Sequence, residues 1–295
     1  MKQVLSLMLA VALVFGVASC TKDLPAGQGG NPFSNPGGGG TTTTDPDPGL
    51  PVGEVPGSFT QKAVLEEFTG EWCGWCPEGA KIMDDAIAAN PNTVIGIGVH
   101  DGDPMELPAF NTWIKGATGV TGFPNGSVQR GAASGRGAWM GEITSALART
   151  PDCGLAMVTK EEAGLVDIDV YIGYNAPVTG STKLSVFITE DKVPQSSPGA
   201  QSNYSSSVVV DANWMHGHVL RGVLTANAGD AVTLNSTDKY TLVSMTGVDI
   251  SSLGILDMSN VHVVAMVNVD GASTASGLDI LNAQQASLNE TKEWD

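Results

Sequence analysis

Two cysteines separated by two residues are the part of this chain best suited to chemistry. Cys73 and Cys76 follow an apolar run with strand character at residues 63–68 and precede a helix-compatible run at 78–89. A Cys-x-x-Cys pair at a strand-to-helix junction is typical of a dithiol redox site. Unpaired N–H groups and the dipole at a helix N-terminus favour a thiolate on Cys73, and Cys76 can then resolve a mixed disulfide.

The same spacing allows two other interpretations. The pair can form a disulfide that only stabilises the fold. It can also be half of a zinc site, but that requires two more ligands at metal spacing. The sequence contains no second Cys-x-x-Cys and no paired Cys and His. We therefore predict no metal and no cofactor.

Three histidines are further candidates for chemistry. His216 and His218 alternate along a predicted strand and could bind one metal, although polar residues at a strand start explain them as well. His100 ends a predicted strand and could transfer protons, or it could cap a helix or lie at the surface. Cys153 begins an apolar segment, which favours a buried, inert thiol over a resolving or intermolecular role.

The N-terminus predicts export and lipidation. Residues 1–19 consist of a short positive start and a nearly unbroken apolar run, which is typical of a secretory signal. The four residues that end with Cys20 resemble a bacterial lipobox, in which this cysteine becomes the lipidated first residue. An ordinary signal peptide cut near Ser19 is the alternative. Thr21 after the cysteine resembles outer-membrane sorting, with the face of the membrane left open.

Composition indicates an exported globular protein of about two domains. The chain has 295 residues, is 42% hydrophobic and carries a net charge of −17, which argues against nucleic acid as a partner. Residues 20–58 are rich in Gly, Pro and Thr and predict a disordered tether after the lipidated cysteine.

Two patterns follow the tether. Residues 59–150 alternate predicted strands (62–68, 93–100, 126–129) with predicted helices (76–89, 107–115, 138–149), which favours an α/β domain. Residues 151–295 contain strand patterns separated by turn residues, at 165–174, 183–190, 219–225, 240–245 and 261–269. They predict an all-β antiparallel sandwich as a second domain.

The first of these segments resembles the thioredoxin superfamily. The strand at 64–68 followed by Glu71-Trp72-Cys73-Gly74-Trp75-Cys76 resembles its active-site strand and turn, and Gly122-Phe123-Pro124 resembles its second conserved loop. The resemblance implies a central mixed sheet flanked by helices. It also implies a cis Phe123–Pro124 bond, with Pro124 helping to hold substrate; an ordinary trans proline is the alternative.

The thioredoxin resemblance assigns further roles around the two cysteines. Glu67 stands where thioredoxins carry a buried acid that assists proton transfer, whereas a partly exposed strand residue is the alternative. Trp72, Trp75 and Phe123 would surround the dithiol and offer an apolar platform for a substrate peptide; partial core packing is the other explanation.

The whole mature chain resembles the Omp-twenty-eight-related family of outer-membrane lipoproteins. The resembling blocks are the lipobox, residues 66–77, residues 122–130 and the segment Trp214-Met215-His216-Gly217-His218-Val219-Leu220-Arg221. The implied location is the outer membrane, with the protein anchored through lipid on Cys20.

Together these features predict a membrane-anchored thiol–disulfide oxidoreductase. Cys73 would attack, Cys76 would resolve, Pro124 would position substrate and Glu67 would move a proton. The partners would be exported proteins that carry thiols or disulfides, together with a redox partner protein. The alternative is a non-catalytic surface binding or adhesion lipoprotein in which the Cys73–Cys76 disulfide is structural.

Overall fold

The computed structural model describes residues 50–234, 239–271, 274 and 276–295. The predicted signal segment, the lipidated Cys20 and the tether up to residue 49 lie outside the described residues. Within the described ranges, strands account for 38% of residues and helices for 17%, so the fold is mainly β. None of the helices in these ranges is long and apolar enough to cross a membrane.

The helices and strands alternate only in the first part of the described chain. The three α-helices are α1 (Cys76–Ala89), α2 (Pro108–Thr118) and α3 (Trp139–Leu147). The strands are β1 (Ala63–Thr69), β2 (Val94–His100), β3 (Asn125–Val128), β4 (Ser134–Gly135), β5 (Gly154–Glu162), β6 (Leu165–Gly173), β7 (Ser181–Glu190), β8 (Val193–Pro194), β9 (Met215–His216), β10 (Val219–Val223), β11 (Asp230–Ala231), β12 (Tyr240–Asp249), β13 (Val261–Asp270), β14 (Leu278–Ser287) and β15 (Thr291–Lys292).

The described strands form one large sheet, one small sheet and a two-stranded ribbon. The main sheet has nine strands in the order β14-β13-β7-β10-β2-β1-β3-β4, with β11 also paired to β7. The small sheet has the order β12-β6-β5-β15, and β8 pairs with β9. In the main sheet β2 is parallel to both β1 and β10, and the other pairs are antiparallel.

The predicted fold class, a thioredoxin-like α/β domain followed by a separate β-sandwich, is wrong. Strands from both predicted domains share the main sheet, because β10 adds directly to β2. Val219 pairs with Gly98, and the Gly98 N–H donates to the His218 carbonyl over 2.7 Å. The described residues also fall within one compact unit on both sides of the predicted boundary at residue 150.

Alternation along β1 explains how the main sheet is covered. Val64 and Phe68 face a core that includes Phe110 of α2, whereas Leu65 faces a core that includes Trp139 of α3. Residues two apart on a strand point to the same face. Helix α2 therefore covers one face of β1 and β2, while α1 and α3 cover the other.

The largest core lies between the main sheet and the small sheet. The side chains of Val186 in β7 and Val263 in β13 meet those of Ile168 and Ile172 in β6, and all four are fully buried. The opposite faces of the same main-sheet strands, including Phe187, join the core under α2. In this part of the fold, the main sheet and the small sheet form two packed layers. The main sheet then continues into the part that the helices cover.

Side-chain amides connect the far end of the main sheet back to its middle. Gln61 donates from Nε2 to the Leu281 carbonyl over 2.9 Å, and Asn282 Oδ1 accepts from the Lys62 N–H over 3.0 Å. Gln129 donates from Nε2 to the carbonyl of Ile280 over 2.8 Å. Strand β14 therefore lies against the start of β1, although the two strands are at different places in the sheet order.

A buried ion pair lies under this connection. Arg130 and Glu66 are both fully buried, with Arg130 Nε 3.4 Å from Glu66 Oε1. Burial raises the pKa of the Glu66 carboxyl, and the neighbouring guanidinium opposes that shift. Arg130 also donates to Ser185 and Asn268, each over 3.3 Å. One guanidinium thus connects β1, β7 and β13.

Replacing Glu66 with Gln should destabilise the protein strongly. The substitution leaves a buried guanidinium without its counter-charge, which typically costs about 3–5 kcal/mol. Urea unfolding monitored by circular dichroism measures the change. The control is Asp85→Asn, because its ion pair with Lys81 is exposed on α1 and such pairs contribute about 0–1 kcal/mol. Similar small losses of unfolding free energy for both variants would contradict a buried ion pair between Glu66 and Arg130.

Candidate functional site

The two cysteines of the predicted site form a disulfide. Cys73 lies in the loop after β1, and Cys76 is the first residue of α1. Their residues are only 4% and 1% exposed. With the two sulfurs bonded to each other, neither is the free thiolate that a zinc ligand requires. The described residues also contain no group of three or more His, Cys, Asp and Glu side chains that could hold a metal ion.

A segment from far along the chain covers the disulfide loop. We call residues 195–214, which connect β8 to β9, the strap. The strap donates three hydrogen bonds to backbone carbonyls of the loop. Ser202 N donates to the Glu71 carbonyl over 2.7 Å, Gln201 Nε2 to the Cys73 carbonyl over 3.1 Å, and Tyr204 N to the Gly74 carbonyl over 2.6 Å.

The strap fits the loop closely at Gly74. A Cβ atom on Gly74 would lie 2.4 Å from the Tyr204 ring, so no larger residue fits there without a shift of that ring. The Trp75 and Tyr204 rings also contact each other edge-to-face, with centroids 6.1 Å apart. The loop and the strap therefore form one packed surface.

Large aromatic side chains remain exposed on this surface. Trp72 is 49% exposed, Trp75 43% and Tyr204 69%. Phe123 packs edge-to-face on Trp72 with centroids 5.1 Å apart. The predicted platform of Trp72, Trp75 and Phe123 therefore exists as neighbouring rings, and Tyr204 extends it. We call these four residues the aromatic platform.

Cations beside the aromatic platform are paired with acids. The Arg136 guanidinium lies 5.2 Å from the centroid of the Trp75 ring and 2.9 Å from Glu78. Lys115 lies 5.9 Å from the Phe123 ring and forms an ion pair with Asp101. The Trp72 indole donates to the Asp101 carbonyl over 2.7 Å. The rings thus present an apolar surface, and the cations at its border are neutralised by ion pairs.

Glu67 is buried beneath the start of α1. A Cβ on Gly79 would lie 2.3 Å from Glu67 Oε1 and 3.1 Å from Pro124 Cβ, so carboxyl and proline both face this turn of the helix. The Phe123–Pro124 bond is cis, as the resemblance implied. Among the described residues, Oε1 has no hydrogen-bond partner. The interpretation of Glu67 as partly exposed is wrong, because only 1% of it is accessible.

Burial, together with the nearby Asp84 carboxylate, raises the pKa of Glu67 well above its usual value. The carboxyl ionises at lower pH in the unfolded chain than in the fold. Glu67 therefore destabilises the fold by an amount that increases as pH rises from about 4.5 towards its folded-state pKa.

Replacing Glu67 with Gln should stabilise the protein at pH 8 and leave its stability unchanged at pH 4. The difference in unfolding free energy should grow by up to about 1.4 kcal/mol per pH unit until the pH reaches the folded-state pKa of Glu67. Urea unfolding at several pH values measures it. Glu162→Gln, at an exposed position in β5, is the control. A loss of stability that is the same at every pH would contradict a protonated, unpaired Glu67.

A polar network lies beneath the loop and the strap. His100 Nδ1 is 2.7 Å from Asp103 Oδ2, and the same oxygen accepts from the Glu71 N–H over 3.0 Å. Glu71 Oε1 accepts from the Ser196 N–H over 2.6 Å. Only 3% of His100 is exposed, so the surface interpretation is wrong. This network connects Glu71, near the start of the disulfide loop, to Ser196, near the start of the strap.

His216 lies against this network as a neutral side chain. Its ring lies 5.0 Å from that of His100, and its Nε2 is 3.7 Å from Glu71 Oε1. Burial, together with the charge of His100, lowers the pKa of His216 to about 3, although Asp103 opposes the shift. For Asp103 itself, burial acts to raise the pKa, but hydrogen bonds from His100 and two backbone groups lower it overall.

The structure does not bring His216 and His218 to one site. His218 lies beyond β9 with a φ of 55°, and its ring faces Asp191 at 3.2 Å and Asp84 at 3.3 Å. A shared metal is therefore not supported by their positions. Cys153 is free and fully buried, and burial with the charge of Asp152 raises its pKa to about 12. This agrees with the predicted inert thiol.

Sequence reasoning missed the residues that cover the site. Gln201, Ser202 and Tyr204 lie more than a hundred positions from the cysteines, in a stretch rich in serine that has no motif. Glu71 and Ser196 were likewise not singled out for chemistry. The signal that could have found the strap is Tyr204, an aromatic residue within the serine-rich stretch from Ser196 to Ser207.

The family comparison is decisive for classification. Residues 112–292 match the family described as outer membrane protein Omp28. The chain belongs to this family. The protein is accordingly an outer membrane protein, as the resemblance predicted. No curated protein matches the chain in sequence.

Similar solved structures agree with the corrected fold. HBP35 of Porphyromonas gingivalis superposes with a TM-score of 0.66 at 21% identity, covering 81% of this chain and 78% of that one. Protein AGR_C_4864 from Agrobacterium tumefaciens gives a TM-score of 0.50 at 15% identity, covering 80% of this chain and 98% of that one. At these identities the likeness concerns the fold alone.

Proposed function

We propose that this Omp28-family protein is a lipid-anchored binding protein whose Cys73–Cys76 disulfide is structural. The observation that carries the proposal is the cover over the disulfide. Both cysteines are nearly inaccessible, and the strap bonds to the carbonyls of Glu71, Cys73 and Gly74. A thiol that attacks a partner needs access to its sulfur, and here three backbone acceptors around it are already occupied.

The aromatic platform is the proposed binding surface. Exposed Trp and Tyr supply large contact area with few rotatable bonds, and such residues carry much of the energy at protein interfaces. The paired cations Arg136 and Lys115 hold the rings in place without adding net charge. The disulfide has a clear part in this function, because it fixes the loop that presents Trp72 and Trp75.

The lipid anchor at Cys20 belongs to the same proposal. A lipidated cysteine followed by a tether of residues 21–58 would hold the binding surface near the outer membrane while allowing it to reach partners. The proposed partner is a protein or glycan with exposed apolar groups. Either face of the membrane is compatible with this arrangement.

Thiol–disulfide exchange with exported proteins is the second candidate. One observation favours it: Glu67 is a buried acid with a raised pKa beneath the helix that begins at Cys76. Such an acid can move a proton near neutral pH. In this mechanism the strap would have to leave, and the dithiol of a redox partner would first reduce the Cys73–Cys76 disulfide while becoming a disulfide itself. The Cys73 thiolate could then attack a substrate disulfide to form a mixed disulfide, and Cys76 would resolve it, releasing the reduced substrate and re-forming the Cys73–Cys76 bond.

The reduction potential of the disulfide separates the two candidates. Full-length protein in outer membranes is equilibrated with glutathione buffers, unfolded in acid and labelled with a maleimide polymer that counts thiols. Cys153 adds one constant thiol. A structural disulfide should remain closed down to about −300 mV. Half-reduction between about −270 and −120 mV, the range of exchange enzymes, would contradict the proposal.

Removing the Tyr204 ring should expose the disulfide. We expect Tyr204→Ala to speed reduction by dithiothreitol at least about tenfold. This factor corresponds to a decrease of about 1.4 kcal/mol in the free energy needed to expose the disulfide. Tyr240→Ala is the matched control, because Tyr240 packs on the small sheet, near Tyr171. Equal reduction rates for wild type and both variants would mean that the strap does not protect the bond.

A further inference from the structure

Three polar side chains meet where β14 lies against the start of β1. Lys62, which precedes β1, and Gln284 in β14 are in contact although they are 222 positions apart in the sequence, and Asp295 contacts both. Lys62 is 2% exposed and Gln284 1%, whereas the Asp295 side chain is 32% exposed. A lysine amine buried against a side-chain amide and a carboxylate has the groups that an acyl transfer requires.

The contacts arrange these groups around the Gln284 amide. Lys62 Nζ donates to Gln284 Oε1 over 2.6 Å, which holds the amine close to the carbon of the same carbonyl. The Gln285 backbone N–H donates to that oxygen over 3.1 Å. Asp295 Oδ2 accepts from Lys62 Nζ and also from Gln284 Nε2, the latter over 3.1 Å. One carboxylate therefore contacts both the amine and the amide nitrogen that an attack on the carbonyl would release.

The surroundings favour a neutral, nucleophilic amine on Lys62. Burial lowers the pKa of its ammonium group and the charge of Lys292 acts in the same direction, although Asp295 opposes the shift. For Asp295, burial acts to raise the pKa, but hydrogen bonds from Lys62 and Gln284 lower it overall, so this carboxylate can accept a proton. The amine is then held beside its target, which replaces a chance encounter in solution.

We propose that Lys62 and Gln284 join through an intramolecular isopeptide bond in the folded protein. Lys62 Nζ attacks the side-chain carbonyl carbon of Gln284, and the Gln285 N–H stabilises the charge that develops on Oε1. The Nζ–Cδ bond forms and the Cδ–Nε2 bond breaks. The two protons that the ammonium group loses leave with Nε2 as an ammonium ion, and Asp295 transfers them between the two nitrogens. The reaction requires no further reactant.

The bond would fasten β14 covalently to the start of β1. A link between such distant positions restricts the unfolded chain, as a disulfide does, but reducing agents do not break it. The partly exposed side of Asp295 gives the released ammonium ion a way to solvent. This inference goes beyond the proposed binding function and does not depend on it.

Peptide mass spectrometry of the full-length protein tests the bond. Protein purified from outer membranes is unfolded, reduced and digested with trypsin, which does not cleave after an acylated lysine. We expect peptide 23–81, uncut at Lys62, to be joined to peptide 240–292, with a mass lower than their sum by one ammonia. Separate peptides of unchanged mass would overturn the proposal. A bond from Lys62 to Asp295, formed with loss of one water, would overturn it as well.

Replacing Asp295 with Asn tests the proton transfer. We expect the bond to form at least about a hundredfold more slowly, since a positioned acid–base group typically contributes that much. The linked peptide is quantified at intervals after pulse labelling, and melting curves check that each variant is folded. Asp279→Asn is the matched control, because this acid of β14 pairs with Arg149 instead. A folded Asp295→Asn variant that forms the bond at the wild-type rate would contradict the assigned reaction.

Discussion

The structure depends on the contact between β2 and β10. There the Gly98 N–H donates to the His218 carbonyl, and a Cβ on Gly98 would lie 3.3 Å from the Gly217 carbonyl oxygen. Close approach of two backbones is what glycine permits. Because β10 follows the strap and β2 neighbours β1, this contact sets the strap over the loop that contains the disulfide.

Buried polar groups distinguish the two faces of β1. Glu66 faces the core under α2 and is paired with Arg130, whereas Glu67 faces α1, and none of the residues that the structure describes bonds to its Oε1. A buried carboxylate is costly unless it is paired, and an unpaired one remains protonated instead. Glu66, the paired acid, therefore helps to hold the main sheet together. Glu67, the unpaired acid, is a buried polar group whose presence the packing of the core does not explain.

Local patterns predicted the elements better than their partners. The helix at Cys76–Ala89 and the strands around Ala63–Thr69 and Val261–Asp270 agree with the sequence-based elements. Periodicity specifies which residues are buried along a strand, but it does not say which strand lies beside it. The pairing of Val219 with Gly98 has no local signal in the sequence. The strands of the main sheet were therefore assigned to two separate folds, although they form one sheet. For the same reason β14 was not predicted, because polar residues that bond to the start of β1, among them Asn282 and Gln284, interrupt its apolar pattern.

Native-state hydrogen exchange tests most directly whether this chain folds as one sheet. If the main sheet is one folding unit, the most protected amides of β1, β2, β7 and β13 should exchange through a single global opening, with the same free energy and the same dependence on denaturant. The Gly98 N–H should belong to that group. If the amides of β1 and β2 opened at a clearly lower free energy while those of β7 and β13 stayed protected, the helix-covered part would be a separate folding unit and the single-sheet fold would be wrong.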